Sequence, residues 1–427
     1  MDKTREMARL MKKNGEFDKA VELYTDIWKI NKDKWVGWEY AFCLRNCKKI
    51  EESIQVLEET LTIDSNFQYS KNYLASILYE KHFKNIKEKY TYNEELYLEK
   101  EAKKILNLLD KDGEYIYKNT VFKILKILKN GNKCSAKKIL YWLDKVDLST
   151  ISDEPLKAEV NNKIKEYQSE KEMYYSYKTK ALYESKQYDE CVEVCIEAIN
   201  NIKHFHHNND LWIKTRKAKA QGICGDKKSA VNDLVELSAV KSHWLLFLDI
   251  AELYYFDKNI ENSLIYCIRA ALTKDPVNMK VELYYKIAWL LEHLGEKEMA
   301  LNHLLFARQI REQNKWKIPN KLDNAIARLK NNKETDEIKI NVLYKFWVRK
   351  IRSNLGEKNG EVCRLLPNGK AGFIIEQESK KTYYFQISSV LKNTRLYKGN
   401  SVKFSLVNSF DPKKKMQSLV ADYIEII

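Results

Sequence analysis

The chain has 427 residues, too many for one compact core, with 75 Lys and Arg against 60 Asp and Glu, a net charge of +15 and a pI near 9.1. Only 12 Gly and 5 Pro occur, which excludes Gly/Pro-rich low-complexity chains and argues for helix over most of the length. No apolar run reaches the ~18 residues a membrane-spanning helix needs, and the charged opening MDKTREMARLMKKNGEF lacks an apolar core, so no membrane segment or secretory signal is expected and the expected location is the cytoplasm.

The opening residues set a pattern that recurs. Ala8 sits where a first helix needs a small residue, Gly15 breaks the chain, and Phe17, Ala20, Tyr24 and Ile27 follow at helical spacing. A second unit carries Ala41 and Leu44, then Ser53, Leu57 and Leu61. Between Asn66 and Leu148 the period loosens, but helices are predicted over Tyr69–Phe83, Glu94–Leu109, Ile116–Leu128 and Ser135–Val146. The pattern then recovers with Leu182, Tyr188, Cys191, Cys195 and Ala198, with Ala218, Gln221, Gly225, Ala230 and Leu234, and with Ala251, Tyr254, Ser263, Cys267 and Ala270. Its clearest copy is Ala288, Leu291, Gly295, Ala300, Leu304 and Ala307. Gly15, Gly225 and Gly295 fall where a helix C-terminus favours φ > 0.

These positions resemble the tetratricopeptide repeat, a helix-turn-helix unit of ~34 residues with small residues at the helix crossing. The resemblance implies an α-solenoid over residues 1–335 whose groove takes a protein or peptide partner. Lys321–Lys330 and Thr335–Arg352 read as capping helices, with 336–354 the linking segment and Phe346 and Trp347 docking on the end of the array. A short polar hinge, Asn354–Asn359, is expected to hold the last domain near that end.

Candidate chemistry in the array is sparse. No nucleotide-binding, hydrolase or metalloprotease motif is present, so the expected protein is not an enzyme and no cofactor is called for. Cys43/Cys47 and Cys191/Cys195 stand at i, i+4. A metal site is one reading, and buried thiols in a reducing compartment are the better one. His204, His206 and His207 cluster beside Asn208 and Asn209, which reads better as a solvated loop than as a metal site. The 27 Tyr, often paired, could line a groove for extended ligands, but individually they read as inter-helix filling.

Residues 355–427 change character. They carry 12 basic against 7 acidic side chains, a third of the chain's excess charge. Gly360-Glu361-Val362, Gly372-Phe373-Ile374, Tyr383-Tyr384-Phe385-Gln386, Ser388-Ser389-Val390 and Lys398-Gly399 with Val402 and Phe404 lie in a strand-and-turn pattern. This tail resembles the cold-shock domain, a five-stranded OB-type barrel that binds single-stranded RNA or DNA. The resemblance implies a face in which Phe373 and Tyr384 stack bases, Gln386 bonds a base edge and Arg364 stacks through its guanidinium plane. Lys370, Lys381 and Lys398 are expected at the rim. Arg364, Leu365, Ala371 and Ile387 stand where the family carries aromatics, so the stacking platform is reduced to Phe373 and Tyr384.

The fold expected is thus mostly α: a tetratricopeptide-like solenoid followed by a small all-β barrel. The function expected is that of a non-enzymatic adaptor between a protein or peptide partner and RNA or single-stranded DNA. Architectures of this kind resemble bacterial accessory proteins, including those of defence systems. The alternatives are a pure protein scaffold with a degenerate barrel, or a repeat receptor for a signalling peptide.

Overall fold

The computed structural model describes residues 2–110, 115–131, 135–330, 337–391, 394–411 and 416–427. They form 18 α-helices and seven strands, and divide into two compact units, Met1–Ile213 and Lys214–Ile427. No described helix is long and apolar enough to cross a membrane.

The first unit is built from helical hairpins. Helices α1 (Asp2–Lys13), α2 (Phe17–Ile30), α3 (Lys34–Asn46) and α4 (Ile50–Ile63) pack in sequence, each neighbour against the next. Ala8, Ala20, Tyr24, Ala41 and Leu57 are fully buried between them. The loosened region forms α5 (Gln68–His82), α6 (Tyr92–Leu108), α7 (Tyr115–Asn130) and α8 (Ala136–Leu143), close to the predicted spans. After α8 comes an element the helical reading misses: an antiparallel hairpin of β1 (Leu156–Val160) and β2 (Lys163–Tyr167). Its turn, Asn161-Asn162, has φ of 53° and 58°, the left-handed pair that a two-residue hairpin loop requires and that Asn tolerates. The unit closes with α9 (Glu170–Glu184) and α10 (Tyr188–Asn201), and α11 (Asn209–Ile223) spans the division between the units.

The turn inside the hairpins recurs in one geometry. Gly15 has φ 80°; its N–H reaches Lys12 O, and Glu16 N–H reaches Met11 O. This double bond closes a helix with a left-handed residue. Gly295 repeats it, with bonds to Glu292 O and Leu291 O. Lys48, Lys186, Lys258 and Lys315 adopt the same turn at φ between 55° and 63°. A side chain there costs conformational energy that glycine avoids, so a search for glycines finds only part of the repeat.

The second unit continues with α12 (Lys227–Val240), α13 (Trp244–Phe256), α14 (Ile260–Leu272), α15 (Val281–His293), α16 (Lys297–Gln313), α17 (Asn320–Leu329) and α18 (Ile340–Leu355). The helix expected over Thr335–Arg352 is instead Ile340–Leu355; residues 337–339 are not helical, and Thr335 itself lies outside the described residues. Trp347 of α18 is 1% exposed and stacks on Tyr284 at 5.9 Å, with 7° between the ring planes. Its Nε1–H donates to His303 Nε2 at 2.8 Å, and His303 Nδ1 lies 2.6 Å from Met299 O.

Five strands follow: β3 (Lys358–Leu365), β4 (Ala371–Glu376), β5 (Thr382–Gln386), β6 (Ser401–Asp411) and β7 (Met416–Ile426). They form one antiparallel sheet in the order β5-β4-β3-β6-β7. Among the described residues no ladder joins the end strands β5 and β7, so the closed barrel expected is instead an open sheet. One parallel bridge, Val390 to Ile424, is found among the described residues. Val362, Ile374, Phe385, Val402, Phe404 and Ile424 bury its core. Gly372 is required by close approach, since a Cβ there would lie 2.6 Å from Arg364 O and 2.7 Å from the Phe385 ring. The sheet packs against α12 and α18. Arg352 donates to Glu425 at 3.1 Å, and Ser405 Oγ donates to Gly356 O at 2.7 Å.

Candidate functional site

The outer face of the sheet is set by its register. Arg364 pairs with Phe373, and Phe373 with Tyr384, so the three side chains form one row across β3, β4 and β5. Strict alternation from the buried Val362 would turn Arg364 inward, since successive strand residues change face. A register shift between Val362 and Arg364 absorbs Cys363 as an extra residue and turns Arg364 outward. Gln386 lies opposite Ala371, one row on.

The row is accessible. Arg364 and Gln386 are exposed, Tyr384 is 37% exposed and Phe373 is half-buried. The Phe373 and Tyr384 rings meet edge to face, 5.7 Å apart at 70°, which leaves two differently oriented π surfaces. The Gln386 amide oxygen accepts from Ser388 Oγ at 3.2 Å, which holds the side chain at the end of β5.

The cations expected at the rim are dispersed. Lys370 is exposed at the end of the row next to Gln386, where its carbonyl accepts from Ile387 N–H. Lys398 precedes Gly399, whose N–H bonds Val362 O beside the Arg364 bulge. Lys381 lies in the β4–β5 turn, where its N–H donates to Ser379 Oγ, on the opposite side of the Phe373–Tyr384 pair from Lys370. The register therefore groups Arg364, Phe373, Tyr384 and Gln386, with Lys370 and Lys381 at opposite ends of the β4–β5 pair and Lys398 beside the β3 bulge.

Two further surfaces have no counterpart in the sequence reading. The first is an aromatic tray in the first unit. Trp35, Trp38 and Phe42 recur at i, i+3 and i+7 on α3, and Tyr69 and Tyr73 at i, i+4 on α5. Trp35 stands 5.0 Å from Tyr69, and Phe42 6.0 Å from Tyr73. Trp35 is 39% and Tyr69 55% exposed. Lys12 Nζ lies 5.5 Å from the Trp38 ring and Arg45 5.1 Å from Tyr73. A hollow of about 500 Å³ opens here, lined by Trp38, Gln68, Tyr69, Asn72 and Tyr73. The run Trp-Val-Gly-Trp-Glu-Tyr-Ala-Phe is the signal that could have found it.

The second surface is a cleft of about 490 Å³ between the sheet and α12–α14, with Tyr384 and Gln386 on its border. Arg269 of α14 and Asp422 of β7 line it. The Arg269 guanidinium lies 4.7 Å from the Phe247 ring and 5.1 Å from Tyr266, and its Nε–H donates to Tyr423 Oη at 3.2 Å. Tyr423 has φ 52°, unusual for an aromatic residue, at a register shift of the β6–β7 ladder. Burial pushes the Tyr423 hydroxyl up to about 12 and raises the Asp422 carboxyl. No local motif marks Arg269, which reads in sequence as part of an ordinary repeat helix.

The histidine cluster corrects an expectation. It is not simply a solvated loop, because His206 is anchored on the fully buried Glu172. His206 N–H donates to Glu172 Oε1 at 2.7 Å, its Nδ1 lies 2.9 Å from Oε2, and Asn209 Nδ2 donates to Oε1 at 2.7 Å. His204 and His207 are exposed. A buried carboxylate needs such donors, and the loop supplies them. Among the described residues no group of three His, Cys, Asp or Glu could hold a metal ion. Cys43, Cys191 and Cys195 are fully buried, and burial pushes the Cys43 thiol up to about 12, away from the reactive thiolate.

A family model described as a domain of unknown function (DUF7017) matches residues 211–348, which ends within α18 and before the sheet. No curated protein matches the chain. Among solved structures, a tetratricopeptide repeat protein from Parabacteroides merdae ATCC 43184 is 12% identical, over 77% of this chain and 98% of that one, with a TM-score of 0.30. The human IFIT1 dimer with PPP-AAAA is 15% identical over 81% and 76%, with a TM-score of 0.35. The human IFIT1 dimer with m7Gppp-AAAA is 16% identical over 75% and 70%, also at 0.35. At these scores no ligand of those proteins carries over to this chain.

Proposed function

We propose that the protein is a non-enzymatic adaptor whose C-terminal sheet is a cold-shock-like, OB-type module for single-stranded RNA or DNA and whose repeat array takes a protein partner. The observation that carries this reading is the row Arg364–Phe373–Tyr384, a cation and two aromatic rings side by side on an exposed sheet face. Single-strand binding asks for such a surface: π faces for bases and positive charge for phosphates. The sheet order, with one parallel bridge from Val390, beyond the end of β5, to Ile424 of β7, is compatible with a partly open five-stranded barrel. The aromatic tray on α3 and α5 supports the partner-binding half, because exposed Trp and Tyr flanked by cations are the residues that anchor interfaces.

The test is fluorescence anisotropy of the full chain with labelled single-stranded RNA and DNA. Binding at low salt is expected, weakening steeply as salt rises. Phe373→Ala and Tyr384→Ala are each expected to weaken it by about 5- to 150-fold, the equivalent of roughly 1–3 kcal/mol per stacked base. Absence of binding by the wild-type chain at low salt removes the nucleic-acid reading and leaves a protein scaffold.

A further inference from the structure

The cleft beside β5 has the composition of a base-recognition site. It continues the outer face of the sheet, since Tyr384 and Gln386 belong to both. Behind them the wall presents a strong donor and a strong acceptor on different elements, Arg269 from α14 and Asp422 from β7. Of the five N–H donors of Arg269, only Nε–H has a protein acceptor among the described residues, namely Tyr423 Oη. The phenol and the rings of Phe247 and Tyr266 hold the guanidinium plane in place. Asp422 accepts from its neighbour's backbone, Tyr423 N–H to Oδ1 at 2.7 Å, and from the Ser389 hydroxyl. A carboxylate has about four acceptor sites, so capacity remains.

The pairing of groups selects among bases. Guanine carries N1–H and N2–H₂ donors on one edge and the O6 and N7 acceptors on another. A carboxylate accepts from the first set and a guanidinium donates to the second. Adenine places an N6–H₂ donor where guanine has O6, and so meets the guanidinium with like polarity. The volume, about 490 Å³, lies within the usual range for small-ligand sites, roughly 300–1,000 Å³.

We propose that the cleft between the sheet and α12–α14 is a guanine subsite, in which Arg269 and Asp422 read one base of the strand lying across the Arg364–Phe373–Tyr384 row. The inference rests on the reading of that row as a single-strand surface. The left-handed backbone at Tyr423 fits it: the strand shifts register there, Tyr423 Oη receives Arg269 Nε–H, and Asp422 is left on the cleft wall.

The experiment uses the full chain and two labelled RNA decamers at low salt, one all-A and one with a single central G. Asp422→Asn removes the acceptor. Ser242→Leu, at an exposed position on the cleft rim, fills the space without touching the core. Thermal melts establish that each variant is folded. The G-containing strand is expected to bind about tenfold more tightly than the all-A strand. Both variants are expected to bring that ratio near one while leaving all-A binding unchanged, and free GMP should compete better than AMP. If Asp422→Asn fails to fold, Ser242→Leu carries the test alone. Equal binding of the two strands by the wild type, or a preference for G that survives Ser242→Leu, overturns the subsite and leaves the sheet-face reading intact. Absence of binding to either strand overturns both. Loss of all binding only in Phe373→Ala, with the G preference unaffected in the cleft variants, assigns base choice to the row and overturns the cleft.

Discussion

His303 should make the second unit sensitive to mild acid. It is fully buried, and both ring nitrogens are committed. The indole N–H of Trp347 can only donate, so Nε2 of His303 must accept, and the ring proton resides on Nδ1 facing Met299 O. A second proton would break the contact to Trp347 and place a charge in an apolar core. Burial accordingly pushes the imidazole down to about 4 from its ordinary 6.5. Because the folded value is depressed, the neutral form is the one folding favours. The contribution is complete above pH 6.5 and is lost as pH falls toward 4. At 1.36 kcal/mol per pH unit, about 2 kcal/mol is lost between pH 6.5 and 5, and about 3 kcal/mol by pH 4. Urea unfolding of wild type and His303→Gln, followed by tryptophan fluorescence at pH 7 and pH 5, isolates the term. Other histidines and carboxylates titrate alike in both proteins and cancel in the comparison. The wild type is expected to lose about 2 kcal/mol more than the variant over this interval. Equal losses would refute the assignment of the neutral, doubly bonded ring.

Lys258→Gly, at a left-handed helix terminus, should relieve backbone strain and raise the melting temperature by about 2–4 °C, roughly 1 kcal/mol; Gly295→Lys should lower it by a similar amount, both read by circular dichroism. Glu172→Ala strands the His206 and Asn209 donors and should cost about 2–4 kcal/mol in urea unfolding of the first unit, with Glu172→Gln costing less; a cost near zero for the alanine variant would mean that the loop is not anchored there. Adjacent strand positions should separate stability from binding. Ile374→Ala, in the sheet core, should cost about 2–5 kcal/mol, whereas Phe373→Ala should cost under about 1 kcal/mol while weakening oligonucleotide binding.

Much of the helical framework was legible in the residues. The 3.6-residue spacing of Tyr69–Phe83 or Glu94–Leu109 is a local property, and α5 and α6 follow it closely. The β1–β2 hairpin carries little apolar periodicity because its strands bury little, with Ile164 75% exposed, and the Asn161-Asn162 turn is its stronger signal. The turns at Lys48, Lys186 and Lys258 leave no signal in the residues, because lysine does not advertise φ > 0. At the sheet, the residues of the row were readable, but strict alternation contradicts the placing of Arg364, and the bulge at Cys363 resolves it.

By itself, then, the sequence determined what short-range physics controls: where most helices run, where glycine reverses the chain, and which segments of the C-terminal domain are strands. It determined the chemistry of the exposed row for the same reason, since Phe373 and Tyr384 belong to adjacent strands joined by a tight turn. Tertiary structure alone decided the meetings of distant residues. Trp347 reaches His303 across 44 positions, His206 reaches Glu172 across 34, and Arg269 reaches Tyr423 across 154. Such pairs leave no periodic trace, because their geometry depends on how whole helices and the sheet pack, and the cleft holding Arg269 and Asp422 exists only once that packing is complete.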